Sequence, residues 1–192
     1  MTHESVALEA LARLFEDMDR NYGETARRHG FACHGCPDNC CHTRFYHHTL
    51  VEYLYLRRGL EQMTPAEQGF IRTTASQQVQ HANACMNHDQ PPRLMCPLNR
   101  SERCLLYAYR PMICRLHGIP HATRRPDGRY LEGPGCDDFY RQCGPGTHAP
   151  LDRSPHYTAM AQLERRLREQ AGYRDKLKMT IAQMLLMDLK IF

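Results

Sequence analysis

The chain has no tryptophan, no long apolar run and only a small charge excess. A bilayer span needs about 20 consecutive apolar residues, and no stretch approaches that. Glu4, Glu9, Glu16 and Asp17 fall where a secretory leader needs an uncharged apolar block, so the expected location is cytoplasmic. The balance of 25 Lys and Arg against 21 Asp and Glu leaves +4, far from the basic footprint of a nucleic-acid binder. The run Arg124, Arg125 and Arg129 is too short to follow a phosphate backbone. No membrane and no nucleic-acid partner are expected. A Gly-rich phosphate loop, a G-x-S-x-G elbow and an H-E-x-x-H helix are also missing, which removes the commonest motif-based routes to an enzyme class. Neither an internal repeat nor a low-complexity tract occurs. With 192 residues and 42% hydrophobic content, the chain has room for one domain, residues 1–192, with a modest core.

Cysteine and histidine are abundant, with ten of the first and twelve of the second. In a secreted chain such a cysteine count signals a disulfide framework. In a reducing compartment the same thiols stay available as thiolate ligands, which points to metal.

Apolar spacing divides the chain into helical flanks and an irregular centre. Leu8, Leu11, Phe15 and Met18 form a single stripe, which predicts a helix over 4–28 with Gly30 as its stop. A second helix is expected over about 49–58, ending at Gly59, with His47 and His48 facing solvent at its start. Thr64, Pro65 and Glu67 make a capping box for a third, running to about His88. Between Leu94 and Gly146 the periodicity disappears, and this stretch holds six prolines and five cysteines. Within it, Pro126-Asp127-Gly128 between two extended runs predicts a small hairpin. Helical spacing returns over 154–190, with Met160, Leu163 and Leu167 on one face, Leu177, Ile181 and Leu185 on another, and Gly172 as a break. The expected fold is mainly α: a small helical domain with irregular cysteine-rich loops over about 31–146 and a short β-hairpin, organised around a metal centre. The Leu and Met stripes are core packing rather than a partner face.

The first cysteine group is Cys33, Cys36, Cys40 and Cys41, spaced C-x2-C-x3-C-C. Two cysteines separated by two residues turn both sulfurs toward one ion, as in zinc knuckles and iron–sulfur loops. The second group is Cys96, Cys104 and Cys114, followed by Cys136 and Cys143. Cys104-x2-Tyr107-x2-Arg110-Pro111-x2-Cys114-Arg115, taken with the first group and Cys96-Pro97-Leu98, resembles the YkgJ-type CxxCxxCC family of zinc- or iron-chelating domains. The same signature occurs in flagellin lysine methylase, for which the resemblance implies a [4Fe–4S] cluster. It covers about residues 33–136. Carried over, it makes Cys33, Cys36, Cys40, Cys41, Cys96, Cys104, Cys114 and Cys136 the candidate ligands; Cys85 and Cys143 have no place in it. The flanking helices lie outside it, and the family label fixes no reaction.

Eight thiols exceed the four that a tetrahedral zinc or a cubane takes. Either two four-thiolate sites share the first group, or one site exists and the other cysteines pack. On an extended backbone, adjacent Cys40 and Cys41 point to opposite sides and so serve different roles. All-cysteine coordination suits both zinc and iron–sulfur; ligands far apart in sequence favour the cluster. Arg110 and Arg115 either offset thiolate charge beside Cys114 or lie on the surface. Tyr107 and Tyr109 either wall the site from water or fill core. His34, His42 and His117 stand near cysteines, but thiolates are the better ligands here, and crowded thiols ligate more often than they attack as nucleophiles. The functional expectation is a cysteine-cluster protein carrying a [4Fe–4S] centre for redox or another cluster-dependent reaction. The alternatives are a zinc-stabilised module that binds a protein partner and a metal-handling protein.

Overall fold

The apolar stripe of the first segment becomes one side of the core in the computed structural model, which describes residues 2–33, 40–85, 94–125 and 127–189. Helix α1 (His3–His29) buries Leu8, Leu11, Phe15 and Met18 almost completely, as a 3.6-residue period dictates. Thr2 caps its start by accepting the N–H of Ser5. Gly30 ends it in the left-handed region at φ 69°, where glycine carries no Cβ penalty. Helix α2 (Leu50–Glu61) is the central element and packs against α1 and the C-terminal helices. Its start is capped from outside: the carboxylate of Glu164 accepts the N–H groups of Leu50 at 2.7 Å and Val51 at 3.0 Å. Those are donors that a helix start leaves unpaired, and a negative charge suits that end. The carboxylate comes from helix α6 (Ser154–Ala171), which Gly172 closes at φ 63°.

Helix α3 (Pro65–Ala84) begins with the predicted capping box, Thr64 and Glu67 bonding reciprocally, and packs on helix α7 (Ile181–Leu186). The end of α3 expected near His88 lies outside the described residues. Between these helices, strands β1 (Asn99–Arg100) and β2 (Arg103–Cys104) form a short hairpin. Helices α4 (Met112–Arg115) and α5 (Asp137–Cys143) flank the predicted second hairpin, β3 (His121–Arg124) with β4 (Tyr130–Gly133). Pro126, expected in its turn, lies outside the described residues. Strand β5 (Leu151–Asp152) adds to β3 in parallel, so the small sheet runs β4-β3-β5. The architecture is mainly α. Among the described residues no helix is long and apolar enough to cross a membrane.

Three expectations are corrected. The helical spacing expected over 154–190 is interrupted: 173–180 is not helical, so Leu177 precedes α7 and does not share its face with Ile181 and Leu185. Gly59 does not end α2; the helix continues two residues beyond it, and the missing side chain makes room for a ring. A Cβ at position 59 falls 2.4 Å from Cγ of Tyr109. His47 does not face solvent. Its backbone pairs with Met179 in an isolated bridge (2.7 and 3.0 Å), which leaves the residue 3% exposed while His48 stays outside. Burial lowers the pKa of the His47 imidazole to about 4, because it penalises the charged form. Among the described residues, its Nε2 has no hydrogen-bond partner.

Candidate functional site

The irregular stretches that precede α2 and follow α3 converge through a main-chain bond: the N–H of Cys96 donates to the carbonyl of Cys41 at 2.7 Å. Around that junction lies a cavity of about 550 Å³. Its wall contains Cys33, Cys40, Cys41, Cys96, Cys104, Cys114 and Cys136, seven of the eight candidate ligands. The eighth, Cys36, lies outside the described residues, as does His34. Cys85, at the C-terminal cap of α3, is not on this wall. Nor is Cys143, whose thiol donates to the carbonyl of His29 at 3.3 Å.

Local backbone explains how the sulfurs are presented. The turn at 40–43 carries Cys40 and Cys41, so the alternation of an extended strand does not apply. Both residues line the cavity, so the expectation of opposite sides, which assumed extended backbone, does not hold. Cys96 and Asn99 line the same wall. At three positions the main chain folds back on the sulfur. The N–H of Leu98 donates to Cys96, that of Leu106 to Cys104, and those of Phe139 and Asp138 to Cys136. Donors fixed on sulfur favour the thiolate, the form that binds a metal.

The electrostatics separate Cys41 from its neighbours. Hydrogen bonds from Cys40, Cys96 and Asn99 hold Cys41 well below the ordinary thiol range. Cys40 and Cys96 are pushed up by that same bonding and then by burial. Burial raises Cys104, Cys114 and Cys136, with repulsion from neighbouring thiols or, at Cys136, Asp138 adding to it. Tyr22, whose hydroxyl approaches Gly118 beside Cys136, is raised by burial and then by Cys33 and Cys136. A desolvated group of acids of this kind ionises together only when a cation shares the cavity.

Arg115 and Arg110 are not surface residues. The Arg115 guanidinium is buried, donates to the carbonyls of Arg110 (2.9 Å) and Ala108, pairs with Asp19 at 2.5 Å and stacks on Phe15. Arg110 reaches the other oxygen of Asp19 at 3.2 Å and lies 3.6 Å over the ring of Tyr107. Both line the cavity, and both lower Cys104. Tyr107 is at the cavity edge and largely exposed, whereas Tyr109 points away, against Gly59 and Gln62 (2.6 Å). His117 is on the cavity wall, with its ring 5.6 Å from that of Phe45; His42 is outside the wall but lowers Cys41.

Sequence reading missed Asp19, Tyr22 and Asn99. Asp19 and Tyr22 sit within an ordinary amphipathic helix and carry no local signal. Asn99 follows Cys96 by three, in a stretch without periodicity that singles out no side chain. Among the described residues, no three His, Cys, Asp or Glu side chains are gathered at the spacing of a single bare metal ion. The donor set has the chemistry of a soft-metal site: seven thiols on one wall, N–H groups aimed at several sulfurs and two guanidinium groups nearby. Comparison of the chain with protein-family models, curated proteins and solved structures returned no match.

Proposed function

We propose that this cavity binds a cysteine-ligated metal centre, with a [4Fe–4S] cluster favoured, and that the protein serves a redox or other cluster-dependent reaction. The observation that carries this reading is the convergence of seven candidate cysteines on one cavity from segments up to about a hundred residues apart. Zinc at about 2.3 Å from each sulfur demands a tight tetrahedron of thiolates. A cluster spreads its ligands over several irons and suits sulfurs distributed around a wall. The resemblance to the CxxCxxCC family points the same way. Cys40, Cys41, Cys96, Cys104 and Cys114, which influence one another electrostatically, are the proposed ligand pool, with Cys36 adjoining it in sequence. Cys33 and Cys136, grouped beside Tyr22, supply further thiols. When bound, such a centre supplies one-electron transfer. The chain's own part is to present deprotonated sulfur, to offset negative charge through Arg110 and Arg115, and to exclude water. The second reading is a zinc-stabilised module for a protein partner or for metal handling; thiolate ligation suits it equally.

The test is iron, zinc and acid-labile sulfide content of protein purified without oxygen, read beside the visible spectrum. The expected result is about four iron and four sulfide per chain with broad absorption near 400 nm. Cys104→Ser and Cys114→Ser should each lose at least half of that iron, and Cys143→Ser should keep it. About one or two zinc with no sulfide would transfer the site to the second reading.

A further inference from the structure

Cys41 and Cys96 are 55 positions apart in the chain, yet a main-chain bond joins them and both line one cavity. The main-chain bond from the N–H of Cys96 to the carbonyl of Cys41 is 2.7 Å long. It brings the two backbones within the separation that a disulfide spans. Both side chains line the same cavity wall, so the two sulfurs share one space. Cys40, the adjacent residue, lines the same cavity, but closure onto it makes a strained eight-membered ring. Cys104 and Cys114 act on this group through charge. All the cysteines in this group are reduced.

We infer that Cys41 and Cys96 form a reversible disulfide in the metal-free protein, and that this bond gates metal entry by withdrawing two of the proposed ligands. The oxidant is a low-molecular-weight disulfide such as glutathione disulfide. One thiolate of the pair attacks a sulfur of that disulfide, forming a mixed disulfide and releasing one glutathione thiolate. The second thiolate attacks the protein sulfur of the mixed disulfide and releases the other. Two protein thiols are oxidised, one glutathione disulfide is reduced to two thiols, and the two protons pass from protein sulfur to glutathione sulfur. The closed form ties the turn at 40–43 to the segment leading into β1, both of them on the cavity wall. The gating part rests on the proposed metal centre; the disulfide itself does not.

The experiment uses the full chain, stripped by chelator, reduced, and titrated with glutathione disulfide before alkylation, tryptic digestion and mass mapping. The expected product joins peptide 29–44 to peptide 94–100 and is two hydrogens lighter than the reduced pair. It is kept in Cys40→Ser, lost in Cys41→Ser and lost in Cys96→Ser. Persistence of the link in Cys41→Ser, or stable glutathione adducts with no link in the natural sequence, would overturn the inference. Uptake of Zn²⁺ by the oxidised chain should fall at least tenfold and return on reduction. Equal uptake by both forms sinks the gate. If neither form takes Zn²⁺ or iron with sulfide, the metal-centre reading fails while the mapped disulfide still stands.

Discussion

The helical scaffold and the cysteine cavity are stabilised in opposite ways. In α1, α2 and α6 the sequence buries apolar side chains, and the ends find partners: Thr2 for α1, Glu164 for α2, Gly172 for α6. Around the cavity the main chain makes short ladders only, and several of the buried side chains are acids whose charged form burial penalises. The first region is complete in itself. The second holds desolvated thiols that repel one another once ionised, which is why its order and its chemistry belong to one question.

Phe15→Ala tests that division most strongly. Phe15 is 1% exposed and carries the Arg115 guanidinium on its ring 4.1 Å away, so truncation removes core volume and the support of the arginine pair together. A loss of about 3–5 kcal/mol is expected in urea unfolding, the same with and without chelator. A loss that depends on chelator would show that scaffold and cavity are one cooperative unit.

Acid sharpens the comparison next. The pKa of His47 is lowered from 6.5 to about 4, so the folded state keeps it neutral while the unfolded chain takes up a proton below 6.5. Stability is therefore full above that upper value, falls as pH drops toward the lower one, and levels off below it. The contribution is up to about 3 kcal/mol. His121, half-buried with its pKa also lowered to about 4, adds a smaller loss of the same sign. His47→Leu should flatten the profile measured by urea unfolding across this acid range. An unchanged slope would assign the acid sensitivity to His121 and other sites.

The smallest effect comes from the β1–β2 turn. Ser101 and Glu102 sit at φ 50° and φ 63°. They are the pair of left-handed residues that a tight hairpin turn demands, here without the usual Asn-Gly. Glu102→Gly should raise stability by about 1 kcal/mol, visible as a higher urea midpoint. No gain would mean that the cavity wall, not the turn, sets the conformation there.

The sequence was legible where the cause was local. The stripe from Leu8 to Met18, the box at Thr64, the stops at Gly30 and Gly172 and the hairpin around Asp127-Gly128 all rest on neighbours within a few residues. Where the cause was distant, it was not. His47 is buried by Met179, far along the chain; Gly59 accommodates a tyrosine from the centre; the β1–β2 turn bends without glycine. The cysteines divide in the same way. The motif resemblance picked out the group whose described members line the cavity, but not that Cys40 and Cys41 share a turn, nor that Asp19 of α1 holds both arginines.

Gly59 extends its influence well beyond α2. The space it leaves is a keyway for the ring of Tyr109, whose hydroxyl is pinned to Gln62. On either side of that tyrosine stand Ala108, whose carbonyl accepts from Arg115, and Arg110, whose carbonyl does the same. A single hydrogen in place of a methyl group thus indexes the 107–115 segment against the helix, and with it the position of Cys114. The placement of a thiol in the cavity is calibrated from the far side of the wall, by a residue with no side chain at all.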